Sequence, residues 1–115
     1  MEGLKIAKCY ISPDIPPLHI LFTKEDDVIV ARCLDFSISS HGENIEEAKK
    51  AIGEAIIDYL EHAIENNAID ELFDPDLEVY WNLYRELELK PEAESFKRNL
   101  ERIKQEIQKK ELVYA

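Results

Sequence analysis

The side chains best suited to chemistry in this sequence are carboxylates, which often stand close together, most notably in two groups. Glu25, Asp26 and Asp27 form the first group, and Glu46 and Glu47 form the second. Neighbouring carboxylates can transfer protons when a fold presents them to a reacting group in suitable geometry. The first group, however, has the composition of a hairpin turn, and the second has that of a helix start. Their positions therefore indicate structural roles.

Two-metal phosphoryl transfer is the reaction that such an acidic chain could best support. It requires several carboxylates within about 4 Å of two metal ions. The candidate ligands are Asp26, Asp27, Glu54 and Asp58. Glu54 and Asp58 fall on the exposed face of a predicted helix, and no Asp at the centre of a strand lies near them. We therefore expect no catalytic residue, no metal site and no enzyme activity.

The histidines and cysteines lack the spacing of a metal site. His19, His41 and His62 fall on three different predicted elements, and neither Cys9 nor Cys33 belongs to a Cys-x-x-Cys pair. We predict ordinary histidines and buried free thiols. With only 3 glycines, the chain also offers little material for a phosphate-binding loop. We expect no cofactor.

The charge balance narrows the classes of partner. The 115 residues carry 25 acidic and 14 basic side chains, a formal net charge of -11, which disfavours binding to nucleic acid or to anionic lipid. Residues 1–76 hold 17 acidic and 6 basic side chains, whereas residues 77–115 hold 8 of each. The sequence shows neither a signal peptide nor a run of about 18 apolar residues. We expect a cytoplasmic protein without membrane contact.

Apolar side chains alternate or cluster in four segments of the first part of the chain. Residues 4–11 resemble an edge strand, and residues 38–41 form a further strand that Gly42 closes. Between them, residues 18–23 and 28–33 are two strands joined by a short polar turn, which favours an antiparallel hairpin. The pattern predicts an α+β fold with a three- to four-stranded antiparallel sheet.

One long amphipathic helix is predicted to pack on this sheet. Asn44 has the chemistry of an N-cap, and Glu47 that of the returning half of a capping box. A broad apolar stripe of helical period follows, with the members Ile45, Ala48, Ile52, Ala55, Ile56, Tyr59, Leu60, Ala63 and Ile64. Gly53 interrupts the helix, either because another backbone approaches closely or because the glycine is tolerated. Residues 66–67 are expected to end the helix.

The rest of the chain predicts a C-terminal pair of helices. Asp74 and Pro75 have the N-cap and N1 chemistry of a second helix, and the Lys90-Pro91 pair is expected to end it. The third helix carries apolar residues spaced alternately three and four apart, the a/d spacing of a narrow packing seam. Residues 112–115 are expected to dock as a short strand or simply to trail.

These elements divide the chain into a core of residues 1–70 and a helical extension of residues 71–115. The candidate residues for a protein interface all lie in the extension, and they are Tyr80, Trp81, Tyr84, Phe96, Leu100, Ile103 and Ile107. We expect a homo-oligomer, either a dimer or a tetramer. Apolar stripes of this kind usually complete a core, so packing within one chain stays open beside packing between subunits.

Four short motifs resemble those of the HicB antitoxin family. They are VARC at residues 30–33, HGENIEEA at residues 41–48, EAI at residues 54–56 and YLE at residues 59–61. In that family a hairpin strand leads through a polar turn with a glycine into a Glu-Glu-Ala helix start, and the helix ends near Tyr-Leu-Glu. The resemblance covers residues 18–61, which is under half of the chain.

The resemblance implies a truncated ribonuclease H-like core of sheet and helix without catalytic function. It also implies a chain that dimerises or tetramerises and neutralises HicA, a small toxin nuclease similar to double-stranded-RNA-binding proteins. Two features depart from the family. Residues 34–37 replace its Pro-Gly-containing turn, and residues 77–115 contain no evident recognition helix of the operator-binding domain that full antitoxins usually add.

We therefore expect a non-catalytic protein-binding module of the HicB-like antitoxin type, whose acidic surface binds and neutralises a small basic toxin ribonuclease. One alternative is a stand-alone homo-oligomer, in which the C-terminal helices complete the core or the subunit interface. The other alternative is a metal-dependent nuclease of the ribonuclease H type.

Overall fold

The computed structural model of the chain describes residues 1–110 as a four-stranded sheet with three α-helices. The strands are β1 (Glu2–Cys9), β2 (Leu18–Glu25), β3 (Val28–Cys33) and β4 (Ile38–Gly42). The helices are α1 (Ile45–Glu65), α2 (Glu78–Arg98) and α3 (Leu100–Lys110), and a 3-10 turn at Ile69–Glu71 follows α1. The predicted α+β class is confirmed. The segment at residues 112–115 lies outside the described residues.

The sheet is an antiparallel meander with the strand order β1-β2-β3-β4. β2 and β3 form the predicted hairpin, in which Ile20 lies opposite Cys33 and Glu25 lies opposite Val28. Asp26 turns the chain between them with a left-handed φ of 57°, a conformation that Asp adopts more readily than most residues. The first group of carboxylates therefore lies at a turn, as predicted.

One face of the sheet is covered by α1. Leu18, Ile20 and Phe22 of β2 pack on this face with the buried residues of the helix, which are Ala48, Ile52, Ile56 and Ala63. Phe22 is 1% exposed, and burial of a side chain of this size stabilises a fold by about 1.5–3 kcal/mol. The predicted helix is confirmed, except that Ile64 is 65% exposed and does not belong to the buried stripe.

Hydrogen bonds define both ends of α1. Asn44 Oδ1 accepts a hydrogen bond from the Glu47 N–H at 2.9 Å, as the capping signal predicted. The Glu47 carboxylate accepts from the Glu43 N–H at 2.8 Å, one residue before the partner expected in a capping box. At the other end, Asn67 has a left-handed φ of 53°. The Ala68 N–H donates to the carbonyl five residues earlier at 2.8 Å, which closes a Schellman-type end.

Two of the glycines have opposite surroundings. A Cβ at Gly42 would lie 2.5 Å from the Ala48 nitrogen and 2.6 Å from Glu47 Cβ, so only glycine fits where β4 meets the start of α1. A Cβ at Gly53 would meet no atom within 4 Å. The close backbone approach considered for Gly53 is therefore wrong, and the helix simply tolerates this glycine.

The first half of α2 covers the opposite face of the sheet. Leu21 of β2 and Leu34 pack there with Tyr84 of α2, and all three side chains are buried. At the sheet edge, Gly3 of β1 admits the helix closely, since a Cβ there would lie 3.0 Å from Leu83 Cδ1. The sheet thus lies between two helices, and β2 is buried on both faces.

α2 begins at Glu78 and not directly after Asp74, so the predicted helix start is wrong. The Asp74 N–H donates to the Asp35 carbonyl at 2.9 Å, and the Asp76 N–H donates to the Leu34 carbonyl at 2.8 Å. These two bonds hold the segment against the turn that follows β3. Tertiary contact therefore outweighs the local capping signal.

The break expected at Lys90-Pro91 is also wrong, because α2 runs through Pro91 and ends at Arg98. Proline removes one N–H bond and clashes with the preceding turn, an effect of about 3 kcal/mol in a helix interior. All other residues from 85 to 94 are Arg, Glu, Leu, Lys or Ala, which are strong helix formers. The interruption falls instead at Asn99, before α3.

α2 extends past the sheet and α3 continues in the same region, so the molecule is elongated. Its radius of gyration is 19.3 Å and its extents are 62 × 39 × 22 Å, whereas a compact chain of this length has a radius of about 13 Å. We call residues 88–110 the arm and residues 1–87 the body. No helix within residues 1–110 is long and apolar enough to cross a membrane.

Candidate protein-binding surfaces

The seven predicted interface residues divide between the body and the arm. Those in the body are Tyr80, Trp81 and Tyr84, which pack against the sheet of the same chain. Those in the arm are Phe96, Leu100, Ile103 and Ile107, of which Phe96 is 61% and Ile107 44% exposed. The body residues thus have intrachain contacts, while Phe96, Leu100 and Ile107 are exposed and Ile103 is half-buried. Their role between chains stays a prediction.

His19, Asp35, Trp81 and Tyr84 form a polar and aromatic cluster between β2 and α2. The backbone N–H of His19 donates to Asp35 Oδ2 at 2.6 Å, and the ring nitrogen His19 Nδ1 lies 3.1 Å from Asp35 Oδ1. The imidazole meets the rings of Trp81 and Tyr84 edge-on, with 5.2 Å between ring centroids in both cases. A carboxylate so placed orients the imidazole. Because the rings of α2 pack against the imidazole, we interpret this cluster as the joint between the sheet and α2.

The hydroxyl of Tyr84 lies inside this joint. It is buried and has no hydrogen-bond partner among residues 1–110. Burial raises the pKa of the Tyr84 hydroxyl, and the charges of Glu88 and Asp35 raise it further. The hydroxyl therefore stays protonated at neutral pH and is held in the joint by the packing of its ring.

A second contact holds α2 on the sheet through Arg32. Its guanidinium carbon lies 4.1 Å from the centroid of the Tyr80 ring, a cation–π contact of about 0.5–2 kcal/mol depending on burial. Arg32 Nη2 also lies 3.2 Å from Glu25 Oε2, which accepts a further hydrogen bond from Thr23 Oγ1 at 3.0 Å. Tyr80 is therefore engaged within its own chain.

The sequence carried a signal for only part of this joint. His19 alternates with Leu18 and Ile20, so it must face away from α1 and toward whatever covers the other side of the sheet. Asp35 had no such periodicity, because it lies in the turn after β3. Its pairing with His19 spans 16 residues and becomes visible only in the fold.

The outer face of α1 carries an exposed row of side chains, which consists of four carboxylates and two isoleucines. We call this row the acidic stripe, and its members are Glu54, Ile57, Asp58, Glu61, Ile64 and Glu65. Residues three and four apart share one side of a helix, so these side chains are neighbours. Ile57 is 55% and Ile64 65% exposed. The stripe thus combines negative charge with accessible apolar area.

Exposed carboxylates extend beyond this stripe. Of the 17 carboxylates in residues 1–76, all except Glu25, Asp35 and Asp76 are exposed. The four candidate metal ligands are divided, since Asp26 and Asp27 lie at the hairpin turn whereas Glu54 and Asp58 belong to the acidic stripe. Across residues 1–110, no group of three or more His, Cys, Asp or Glu side chains is placed to hold a metal ion.

Both cysteines are free thiols. Cys33 is buried, and burial raises the pKa of its thiol to about 11, so it stays protonated at neutral pH and is a poor nucleophile. Cys9 is only partly buried. His41 and His62 are exposed on β4 and α1, so the three histidines do lie on three different elements.

An apolar pocket of about 240 Å³ lies between α1 and the strands β1 and β2. It exists partly because Gly53 has no side chain to fill it, and Cys9 and Phe22 line its walls. Lys8 and Lys49 also line the pocket and add polar groups to it. Ligand pockets usually measure about 300–1,000 Å³, so we interpret this space as a packing gap.

Neither a model of a known protein family, nor a curated protein, nor a solved structure matches this chain. The HicB-like resemblance therefore remains a prediction from the sequence motifs. In the structure, residues 30–33 belong to β3, and residues 41–48 contain the end of β4 and the capped start of α1. His41 and Gly42 of the second motif lie in β4, and Glu43 and Asn44 connect that strand to α1.

Proposed function

We propose that this chain is a non-catalytic protein-binding module of the HicB-like antitoxin type. Its partner is a small basic protein, a toxin ribonuclease similar to HicA, which docks on the acidic stripe. The observation that carries the proposal is the stripe itself, where Ile57 and Ile64 stand exposed among carboxylates. The sequence resemblance in residues 18–61 supports the same role.

Each component of the stripe contributes a different step of binding. The carboxylates Glu54, Asp58 and Glu61 attract a basic partner, and such steering raises association rates from about 10⁵–10⁶ toward 10⁸ M⁻¹s⁻¹ or more at low salt. Ile57 and Ile64 supply apolar area that contact with the partner removes from water. Charge therefore governs association, and the isoleucines slow dissociation.

The proposal is tested with the protein encoded by the neighbouring reading frame, co-expressed and co-purified with this chain. A variant with Glu54→Lys, Asp58→Lys and Glu61→Lys should associate at least about tenfold more slowly. The control variant carries Asp14→Lys, Asp70→Lys and Glu71→Lys, an identical change of charge at exposed positions outside the stripe. Rates are measured by surface plasmon resonance at two salt concentrations.

The outcomes separate a specific surface from general acidity. Slower association of the stripe variant alone, together with faster dissociation of an Ile57→Ala, Ile64→Ala variant, supports the proposal. Equal slowing by both charge variants would show that net charge acts without a defined site. A neighbouring frame without a small basic product, or a product that does not bind, would overturn the antitoxin role.

A stand-alone homo-oligomer is the second candidate role, and the exposed apolar residues of the arm favour it. A nuclease of the ribonuclease H type is the third, and its candidate metal ligands are Asp26, Asp27, Glu54 and Asp58. Titration with Mg²⁺ or Mn²⁺ in a calorimeter, run beside a ribonuclease assay, distinguishes it. Metal binding accompanied by cleavage would replace the binding module with an enzyme.

A further inference from the structure

The two edge strands of the sheet differ in how they are protected. The strand order places β1 at one edge and β4 at the other. β1 carries Glu2, Lys5 and Lys8, and its pairing with β2 is interrupted by a register shift between Gly3 and Lys5. Charged side chains and bulges are common means by which an edge strand avoids pairing with another chain. The edge at β1 is therefore protected.

The edge at β4 has neither of these protections. Its five residues, Ile38–Gly42, include no Lys, Arg, Asp, Glu or Pro, and each of them pairs with one residue of β3 without a register shift. No strand among residues 1–110 pairs with the other side of β4. We call this unpaired side the β4 edge. Its backbone N–H and C=O groups are available to a further strand.

The sheet face that α2 covers is open beside β4. α2 packs on Ile6 of β1 and Leu21 of β2, and on β3 it reaches Arg32 through the ring of Tyr80. Beyond that contact, the same face forms an open groove of about 380 Å³ that extends to Ser39 and His41 of β4. A fifth strand at the β4 edge therefore extends the sheet without meeting α2.

The other face of the sheet lies under α1, which presents small side chains toward the β4 edge. Lys49 and Gly53 face β1 and β2, since both line the gap beside those strands. At 100° per residue, Ala51 and Ala55 lie about 160° around the helix from them, and both alanines are half-buried. The distance between two packed helices depends on the size of the side chains at their contact. Two copies of α1 can therefore approach each other beside paired β4 strands.

Antiparallel pairing of β4 with a second copy brings no charged side chains face to face. A two-fold axis through Ser40 places Ser39 opposite His41 of the second copy, and Ile38 opposite Gly42. The carboxylate nearest to Ser40 in the sequence is that of Glu43. Three residues separate them, so the two copies of Glu43 lie about 20 Å apart at about 3.4 Å per residue. β4 is thus complementary to itself in length, in charge and in side-chain size.

From these observations we propose that two copies of this chain pair through their β4 edges. The two four-stranded sheets then form one continuous antiparallel sheet. Main-chain hydrogen bonds between the β4 strands provide affinity, and contact between the α1 helices at Ala51 and Ala55 adds to it. This interface differs from the arm residues that the sequence indicates. It is also independent of the acidic stripe and of the identity of any toxin.

The net charge of the chain opposes this association. Each copy carries a formal net charge of -11, and pairing brings two acidic bodies together. At physiological ionic strength the Debye length is about 8 Å, so repulsion between carboxylates farther apart than this is largely screened. The hydrogen bonds of the paired strands act in direct contact and are not weakened in this way. We therefore expect association to strengthen between low and physiological salt.

The first experiment measures the mass of the full chain by sedimentation equilibrium at about 0.15 M salt, a condition set by the screening length above. We expect a dimer for the natural chain. An edge variant with Ser39→Lys and His41→Lys places lysines opposite one another at two exposed positions, and it should raise the dissociation constant at least about tenfold. The control carries Gln105→Lys and Gln108→Lys, the same change of charge at exposed positions of the arm, and should remain dimeric.

An arm variant with Leu100→Asp and Ile103→Asp separates the two candidate interfaces, and it should keep the dissociation constant of the natural chain. Trp81 fluorescence reports that the body is folded in each variant. A monomeric natural chain, or an edge variant that associates as tightly as the natural chain, would overturn the proposal. A dimer that is lost in the arm variant and kept in the edge variant would place the interface on the arm.

The second experiment tests the register by disulfide formation in a Cys9→Ala background. Opposite residues of an antiparallel pair have Cα atoms about 4.5–5.5 Å apart, within reach of a disulfide, whereas diagonal neighbours lie about 7–8 Å apart. A mixture of Ser39→Cys and His41→Cys chains should therefore cross-link mainly between the two different chains, as mass spectrometry can show. Products formed only between identical chains, or no products at all, would contradict pairing about Ser40.

Discussion

α1 and α2 have the same length of 21 residues and pack on opposite faces of one sheet, yet they hold the sheet in different ways. α1 lies on the sheet along most of its length, with buried residues from Ala48 to Ala63. α2 has one buried residue, Tyr84, and it packs on the sheet through Tyr80, Trp81 and Tyr84 together with Leu83 and Leu87. Only α1 has a side-chain cap at its start.

The difference shows that apolar periodicity must be followed along the whole of a helix. The apolar residues of α1 form one broad stripe, which accounts for complete packing on the sheet. Those of α2 change sides, from Tyr80 and Tyr84 toward the sheet to Leu89 and Phe96 away from it. One helix can therefore complete a core with its first half and leave large apolar side chains exposed along its second.

Substitution of the same residue type in the two regions tests this comparison most strongly. Phe22 is 1% and Phe96 61% exposed. Phe22→Ala should lower the free energy of unfolding by about 3–5 kcal/mol, and Phe96→Ala by less than about 0.5 kcal/mol in the monomer. Urea unfolding at low protein concentration, followed by Trp81 fluorescence, measures both. A large loss for Phe96→Ala would place the arm against the body.

Alkaline pH should weaken the face that α1 covers. The pKa of Cys33 is raised from 9.0 to about 11 by burial, so the folded chain holds its proton more tightly than the unfolded chain does. The protonated thiol of Cys33 therefore contributes its full stabilisation below pH 9, and this contribution is lost as pH rises through about 11. Its upper limit is about 3 kcal/mol, at about 1.4 kcal/mol per pKa unit.

The matched variants isolate this thiol from other groups that titrate at high pH. Urea unfolding between neutral pH and about pH 11 should show a shallower loss of stability for Cys33→Ala, while Cys9→Ala keeps the slope of the natural chain. Burial also raises the pKa values of Tyr59 and Tyr84, so part of the loss remains in both. An unchanged slope in Cys33→Ala would contradict the assignment.

The face that α2 covers should depend instead on a hydrogen-bonded carboxylate. Asp35→Ala leaves the backbone N–H of His19 without its acceptor at 2.6 Å. The free energy of unfolding should fall by about 2 kcal/mol, the contribution of a hydrogen bond to a charged group. Asp70→Ala removes an exposed carboxylate and should change stability little. Chemical unfolding quantifies both variants, and a red shift of Trp81 emission in Asp35→Ala would report loosening of α2. Equal free energies of unfolding for Asp35→Ala and Asp70→Ala would show that packing alone holds α2 on the sheet.

The smallest expected effect is a gain of stability within α1. Gly53→Ala should raise the free energy of unfolding by about 1 kcal/mol, because alanine favours the helix and the added Cβ meets no atom within 4 Å. Gly42→Ala should destabilise, since its Cβ would lie 2.5 Å from the Ala48 nitrogen. Thermal unfolding of both variants checks the contrast, and a destabilised Gly53→Ala would show that α1 cannot accept a side chain there.

Local signals in the sequence predicted the body well. The alternation in β2, the polar hairpin turn and the Asn44 cap each act through neighbouring residues, so they survive in the fold. The start of α2 was missed because the Asp74 and Asp76 N–H groups bond to a turn about 40 residues earlier in the chain, and no local pattern encodes such a contact. The continuation through Pro91 was missed because one strong breaker stands among strong helix formers.

The candidate surfaces were predictable to a smaller degree. Heptad spacing is read from the sequence alone, and it indicates the arm residues from Phe96 to Ile107, although the structure divides them between α2 and α3. The tyrosines at positions 80 and 84 carry the same kind of periodic signal, but only the sheet shows that they are covered. The outer face of α1 was predicted as solvated, and the exposure of Ile57 and Ile64 makes it a candidate docking surface as well.

The burial of β2 on both faces has a consequence for synthesis on the ribosome. The four strands and α1 leave the exit tunnel before α2 does, so a nascent chain can pair its strands while Leu21 and Leu34 are still bare. Until Tyr84 emerges, this side of the sheet is open to chaperones or to other unfinished chains. A pause in translation before residue 78 would lengthen that interval, and the yield of native protein should fall accordingly.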